Sequence, residues 1–122
     1  MTADDFREIA LSLDGAVEQS HMNHPDFRAN GRIFATLRSN DTLGMVKVTL
    51  EEQRELIKMH PKAFEPSAGA WGRQGCTDVR LAAADRGTVR AAMVLAWEAA
   101  VARPPAKPKS RPRKKTPRRA PR

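Results

Sequence analysis

The chain is 122 residues long, carries a formal net charge of +8 and has one cysteine, Cys76. That length suits one domain of common size, a lone cysteine excludes an internal disulfide, and the absence of an apolar run near the roughly 18–20 residues that span a bilayer excludes a membrane-spanning helix. Ten of the 22 Lys and Arg side chains lie in residues 103–122, with no acid and six of the nine prolines, whereas the other 12 face 14 acids in residues 1–102, a net charge of −2 there.

The chain therefore divides into a slightly acidic body domain, 1–102, and a basic, proline-rich arm, 103–122. In the body, residues 2–13 predict a helix, because Phe6, Ile9, Ala10 and Leu13 recur at the spacing of a buried stripe. Thr2 is placed to cap it, Asp4, Asp5 and Glu8 complement the helix dipole, and Gly15 follows the last periodic residue. Residues 17–22 read as a short strand ending at an Asn23-His24-Pro25 turn. Phe27-Arg28-Ala29 and residues 32–37 flank Asn30-Gly31, a hairpin signature because a type I′ turn needs positive φ at both central positions. After a Ser39-Asn40-Asp41 turn, residues 43–48 extend an antiparallel meander. Thr49 and Glu52 make a capping-box pattern for a helix running to about residue 59, held down by Leu56 and Met59. Pro61 and Pro66 bracket an irregular connection, and residues 76–81 alternate as a half-buried strand. A last helix opens at Asp85, shows an apolar side of Val89, Met93, Ala96, Trp97 and Ala100 over 89–101, and stops at Pro104-Pro105. Clustered strands, rather than strict strand–helix alternation, predict an α+β fold of two layers, an antiparallel sheet with helices packed on one face.

Several of these segments carry a resemblance. They are Asn30-Gly31-Arg32-Ile33-Phe34-Ala35, the 43–47 strand, the capped Thr49 helix, Ala70-Trp71-Gly72-Arg73-Gln74-Gly75-Cys76-Thr77 followed by Val79-Arg80-Leu81, and the Asp-led final helix. Together they make the body similar to the MmcQ/YjbR family of small bacterial proteins. The resemblance covers residues 1–102 and none of the arm, and departs at Arg32, where the family often has Lys, and at Cys76, often aromatic. It implies a CyaY-like α+β fold, no established catalytic residues, no cofactor, and a DNA-binding role by analogy with a sheet-based double-wing domain. A DNA-binding sheet face calls for clustered cations; Arg32, Lys47 and Arg73 are the body candidates, with Arg28, Arg38 and Arg80 also on or beside predicted strands.

Chemistry beyond binding finds little support. His21 and His24 bracket a turn and, like His60, lack the spacing of metal ligands. Asp4, Asp5 and Glu8 form a short version of the acidic helix face with which frataxins of the related fold bind iron, yet helix N-termini favour acids in any case. Cys76 reads as a small packed hydrophobe in a strand rather than a nucleophile. Gly69, Gly72 and Gly75 recur every third residue around Trp71; they read as a tight connection with Trp71 plugging the core edge, ahead of a phosphate-cradling loop with Arg73 and Gln74 as donors. The expectation is a protein that is not an enzyme and holds no metal.

The arm has no aliphatic side chain larger than alanine, so it is expected to be disordered with polyproline-II character, reaching roughly 60 Å at about 3.1 Å per residue. Its cations, Arg103, Lys107, Lys109, Arg111, Arg113, Lys114, Lys115, Arg118, Arg119 and Arg122, are the principal nucleic-acid-binding candidates. Thr116-Pro117-Arg118-Arg119 is similar to the Ser/Thr-Pro-basic units of histone H1-like tails, and the lack of an interleaved aromatic favours duplex backbone over single strands. The expected function is low-specificity binding of double-stranded DNA, with RNA as a second polyanion and no membrane partner. The expected setting is cytoplasmic and nucleoid-associated; the sequence leaves the oligomeric state open, with a monomer as the default. The alternatives are a small-molecule- or metal-handling domain localised to nucleic acid by its tail, and a protein-interaction module.

Overall fold

A computed structural model describes residues 1–38 and 41–102; the basic arm and the positions 39 and 40 of the expected turn lie outside the described residues. The helix α1 (Ala3–Leu11) opens with a capping box, in which Thr2 Oγ1 accepts from the Asp5 backbone at 3.1 Å and Asp5 Oδ2 accepts from the Thr2 backbone at 2.9 Å. It ends two residues before the expected point because the Ser12 hydroxyl takes the Ile9 carbonyl at 2.6 Å. Its stripe of Phe6, Ile9 and Ala10 is buried, and Leu13 packs against the core from beyond the helix.

Six strands follow: β1 (Val17–His21), β2 (His24–Ala29), β3 (Arg32–Arg38), β4 (Leu43–Lys47), β5 (Phe64–Pro66) and β6 (Cys76–Arg80). They form one antiparallel sheet in the order β1-β2-β3-β4-β6-β5. The Asn30-Gly31 turn is as predicted, with φ of 56° and 74°. The preceding turn is not. It falls on Met22 and Asn23, with φ of 50° and 66°, which makes His21 and His24 direct cross-strand partners and puts Pro25 inside β2. Pro25 lacks an N–H, but the sequence signal of Asn-His-Pro gave no way to tell a turn at 22–23 from one at 23–25. A bulge lies in the β2–β3 ladder, where Phe27 pairs with Ala35 and Arg28 with Ile33, leaving Phe34 as the extra residue. The extra residue lets both Phe34 and Ala35 be buried.

The other helices are α2 (Leu50–Met59), α3 (Ala70–Arg73) and α4 (Arg86–Ala102), with a 3₁₀ turn at Leu81–Ala83. Thr49 and Glu52 make the expected capping box, and Asp85 caps α4 by accepting from the Thr88 backbone at 2.8 Å. The helices lie on one face of the sheet, α4 against β3, β4 and β2, and α1 against α4. Phe6, Phe27, Phe34, Leu37, Val46, Phe64, Val79, Val89 and Met93 form the core between the layers. Arg86 ties α4 to α1 through Asp5 at 2.8 Å and Glu8 at 3.0 Å.

Three expectations are corrected. The irregular connection holds β5, an edge strand of three residues whose Phe64 pairs with Val79; it is too short for an alternation pattern to reveal. Met59 is exposed, because α2 buries only Gln53 and Leu56 fully. Trp71 does not plug the core: it sits on α3 and is 62% exposed.

Gly44 on β4 faces the ring of Phe6, and a Cβ there would stand 2.6 Å from the ring edge. Phe6 is fully buried and has no room to yield. Gly44→Ala is expected to lower unfolding stability by about 1–3 kcal/mol, the cost of overpacking a filled core, read by urea denaturation of the purified protein.

Candidate functional site

One side of the sheet is covered by helices. The other is open, and side chains alternate across the pleat, so each strand sends every second residue outward. The β2–β3–β4–β6 pairing aligns Asp26, Thr36, Met45 and Asp78 in one outward row. Arg38 faces the same side two residues beyond Thr36, and Lys47 stands opposite Cys76.

Thr36, Arg38, Met45, Lys47 and Cys76 line a groove of about 1220 Å³. Its basic lining consists of Arg28, Arg32, Arg38 and Lys47 with His21 and His24; among the described residues no Asp or Glu is part of the lining, although Asp26 and Asp78 on the same face pair with Arg28 and Arg38. The groove runs along the strands from the His21–His24 end to an end formed by Trp71, Gln74 and the α4 residues Ala96, Ala99 and Ala100. Seven residues of β3 set its length at about 20 Å. Of the sequence-predicted body cations, Arg32 and Lys47 come together here. Arg73 is exposed on α3 but does not line the groove, and Arg80 pairs with Glu65 and donates to the Lys62 carbonyl at 2.9 Å instead.

A buried carboxylate organises one end. Asp26 is fully buried and accepts from Arg28 Nε at 2.7 Å, from Arg28 Nη2 at 3.1 Å and from His21 Nδ1 at 2.8 Å. The Arg28 guanidinium holds the Asp26 carboxyl below its ordinary value, burial opposes it, and His21 adds to the lowering. Because Asp26 is an acceptor, His21 carries its proton on Nδ1 and turns Nε2 away from the pair. Arg38 approaches Asp78 at 3.6 Å, while Asp78 is itself bonded by the Ser67 hydroxyl at 2.6 Å. Lys47 is exposed and makes no ion pair among the described residues. Beneath these groups Thr36 Oγ1 is buried with no hydrogen-bond partner among the described residues.

At the other end the backbone is tight. A Cβ at Gly75 would meet the Val48 carbonyl oxygen at 1.9 Å, and Gly75 has φ of 102°, so only glycine fits. The tight-connection reading of the Gly69–Gly75 spacing thus holds. Gln53, buried on α2, donates to the Gly72 and Cys76 carbonyls at 3.0 Å each and locks α3 to β6. Cys76 is buried, and that burial pushes its thiol up against the pull of Lys47 and Arg38, so it stays protonated. Among the described residues no group of three His, Cys, Asp or Glu is placed to hold a metal ion, and no helix is long and apolar enough to cross a membrane. His60 caps α2 and meets Phe64 edge-on at 6.0 Å, away from the groove.

Sequence reasoning named the groove cations and singled out the Trp71–Cys76 loop, but missed His21, Thr36 and the exposure of Trp71 as features of the groove. The first depended on the turn position, the second on register and the third on the short α3 helix.

The fold and groove define a small α+β domain with an open, cation-lined sheet face. Residues 11–99 match the YjbR family model, and the chain belongs to the YjbR family. Its fold is similar to the crystal structure of Deinococcus radiodurans protein DR2400, a DUF419 domain. The TM-score is 0.66 at 19% identity, over 79% of this chain and 75% of that one. No curated protein matches the sequence.

The lowered Asp26 pKa has a direction in pH. Its ionised form is favoured by folding, so the contribution is present above the unfolded carboxylate value of about 3.9 and is lost as pH falls through the lower folded value. Asp26→Asn is expected to destabilise the protein by about 1.5–3 kcal/mol at neutral pH, the worth of hydrogen bonds to a charged group. Thermal melts of both proteins should converge as pH drops below about 4.

Proposed function

We propose that this is a DNA-binding protein of low sequence specificity that is not an enzyme and needs no cofactor. The observation that carries the reading is the groove: its basic lining is Arg28, Arg32, Arg38 and Lys47 with two histidines, with no acid, on a body whose net charge is −2. A slightly acidic domain that gathers four of its twelve Lys and Arg side chains on one concave face can create a local positive field despite its total charge. Four acids sit away from that face, at the capped starts of α1 and α2.

The arm adds cations that follow the groove closely in sequence. Ala99 and Ala100 line the groove, and the arm's first cation, Arg103, follows three residues later in sequence. Groove and arm can therefore neutralise phosphates of one polyanion. A 20 Å groove spans about six phosphates of one strand at about 3.4 Å per step. Phosphate contacts supply affinity without reading sequence, and such binding would associate the protein with the nucleoid of a bacterial cell. A small-molecule site is the weaker reading, because the groove exceeds the roughly 300–1,000 Å³ of ordinary ligand pockets and is open along its length.

If six to eight arm cations engage duplex DNA, log K should fall with log salt at a slope near −5 to −7. A truncation at residue 102 should bind more weakly with a shallower slope, and Lys47→Ala in the full chain should reduce the slope by about 1. Gel-shift titrations in rising salt measure all three. Equal binding by the truncation would remove the arm from the function, and no duplex binding by the full chain below about 200 mM salt would remove DNA.

A further inference from the structure

We propose that the sheet groove accepts an unpaired stretch of nucleic acid, with one base stacked on the Trp71 indole and the neighbouring phosphates held by the groove cations. The inference rests on the nucleic-acid reading above and specifies the form that the groove, as distinct from the arm, takes up.

Trp71 is 62% exposed, yet its support is rigid. Gln53 Nε2 donates to the Gly72 carbonyl at 3.0 Å, and Gln74 N–H donates to the Trp71 carbonyl at 3.0 Å. A Cβ at Gly72 would stand 2.0 Å from the Ser67 carbonyl oxygen, so the backbone beside Trp71 is pressed against its neighbour. The backbone that carries the indole is thus pinned, and the ring stands exposed to solvent at the groove.

Its place in the groove gives it a cationic neighbourhood. Lys47 pairs with Cys76 across β4 and β6, and the Val48 N–H donates to the Gly75 carbonyl at 3.2 Å. Trp71 and Gln74 precede that junction by one to five residues and line the same end of the groove, so the aromatic plane and the Lys47 ammonium belong to one end of one cleft. Cations tracking a backbone beside an aromatic platform are the two components of a single-strand site. In a duplex each base face is covered by its stacked neighbours, leaving the indole only edges and sugars to meet. An unpaired base offers a full π-face, and stacking on it is tolerant of base identity. An exposed Trp is also a common anchor for a protein partner, but a lining that holds Arg28, Arg32, Arg38 and Lys47, and no carboxylate among its described residues, matches a polyanion.

The test uses the full-length protein and fluorescence anisotropy with labelled oligothymidylate of about 15 nucleotides and with a duplex of equal length, at one salt concentration. Trp71→Ala is expected to weaken single-strand binding by about 5- to 100-fold and duplex binding by less than about twofold. Trp71→Phe should retain most of the single-strand affinity, and single-strand addition should quench Trp fluorescence in the native protein but not in Trp71→Phe. Thermal melts verify that both variants fold. Unchanged single-strand affinity in Trp71→Ala, or equal loss on both forms, overturns the stacking site while the DNA-binding reading stands. Failure of the native protein to bind either oligonucleotide overturns both.

Discussion

The close approach of the Gly75 backbone to Val48 is the constraint on which the open face depends. With the glycine Cα lying where any side chain would strike the Val48 carbonyl, the two strands β4 and β6 can meet in only one way at that end. That junction sets the register in which Lys47 faces Cys76, Met45 faces Asp78 and Gly44 faces Val79. A shift by one residue would turn Gly44 and Val79 outward and the charged row inward. The same junction anchors α3, because Gln53 reaches across from α2 to both the Gly72 and Cys76 carbonyls. Core packing under α1 and the position of Trp71 on the groove therefore share one backbone contact.

Acids and cations occur on both helices and strands, but in different local settings. Helix N-termini stabilise acids, and α1 and α2 each place two in the first turn. The outward side of the sheet has no such bias, and there Arg28, Arg32, Arg38 and Lys47 line the groove. Buried carboxylates then hold part of that set in place: Asp26 orients Arg28 and His21, and Asp78 faces Arg38. Arg28 and Arg38 are thus pre-positioned, whereas Lys47 is exposed and ready to exchange water for a phosphate. A net charge of −2 for residues 1–102 conceals this polarity.

Most of the fold was readable because its elements announce themselves locally. Thr2 with Asp5 and Thr49 with Glu52 close helix starts through contacts three residues apart, and Asn30-Gly31 closes a hairpin within two. The elements that escaped notice have no local period: β5 is three residues and α3 four. The Met22–Asn23 turn was displaced by one residue because Asn-His-Pro is as compatible with a turn as Met-Asn, and only pairing of His21 with His24 across the hairpin decides between them.

The amino-acid sequence by itself determined the division into body and arm, the α+β class and the identity of most groove cations, since composition, capping pairs and hydrophobic spacing act over a few residues. The tertiary structure alone decided which cations converge, that Arg73 and Arg80 stand apart from them, and that Trp71 faces solvent at the groove's end. Those outcomes depend on strand register, on one bulge at Phe34 and on a glycine contact between segments 27 residues apart, Val48 and Gly75, and no property of a short segment encodes where a distant one will lie against it.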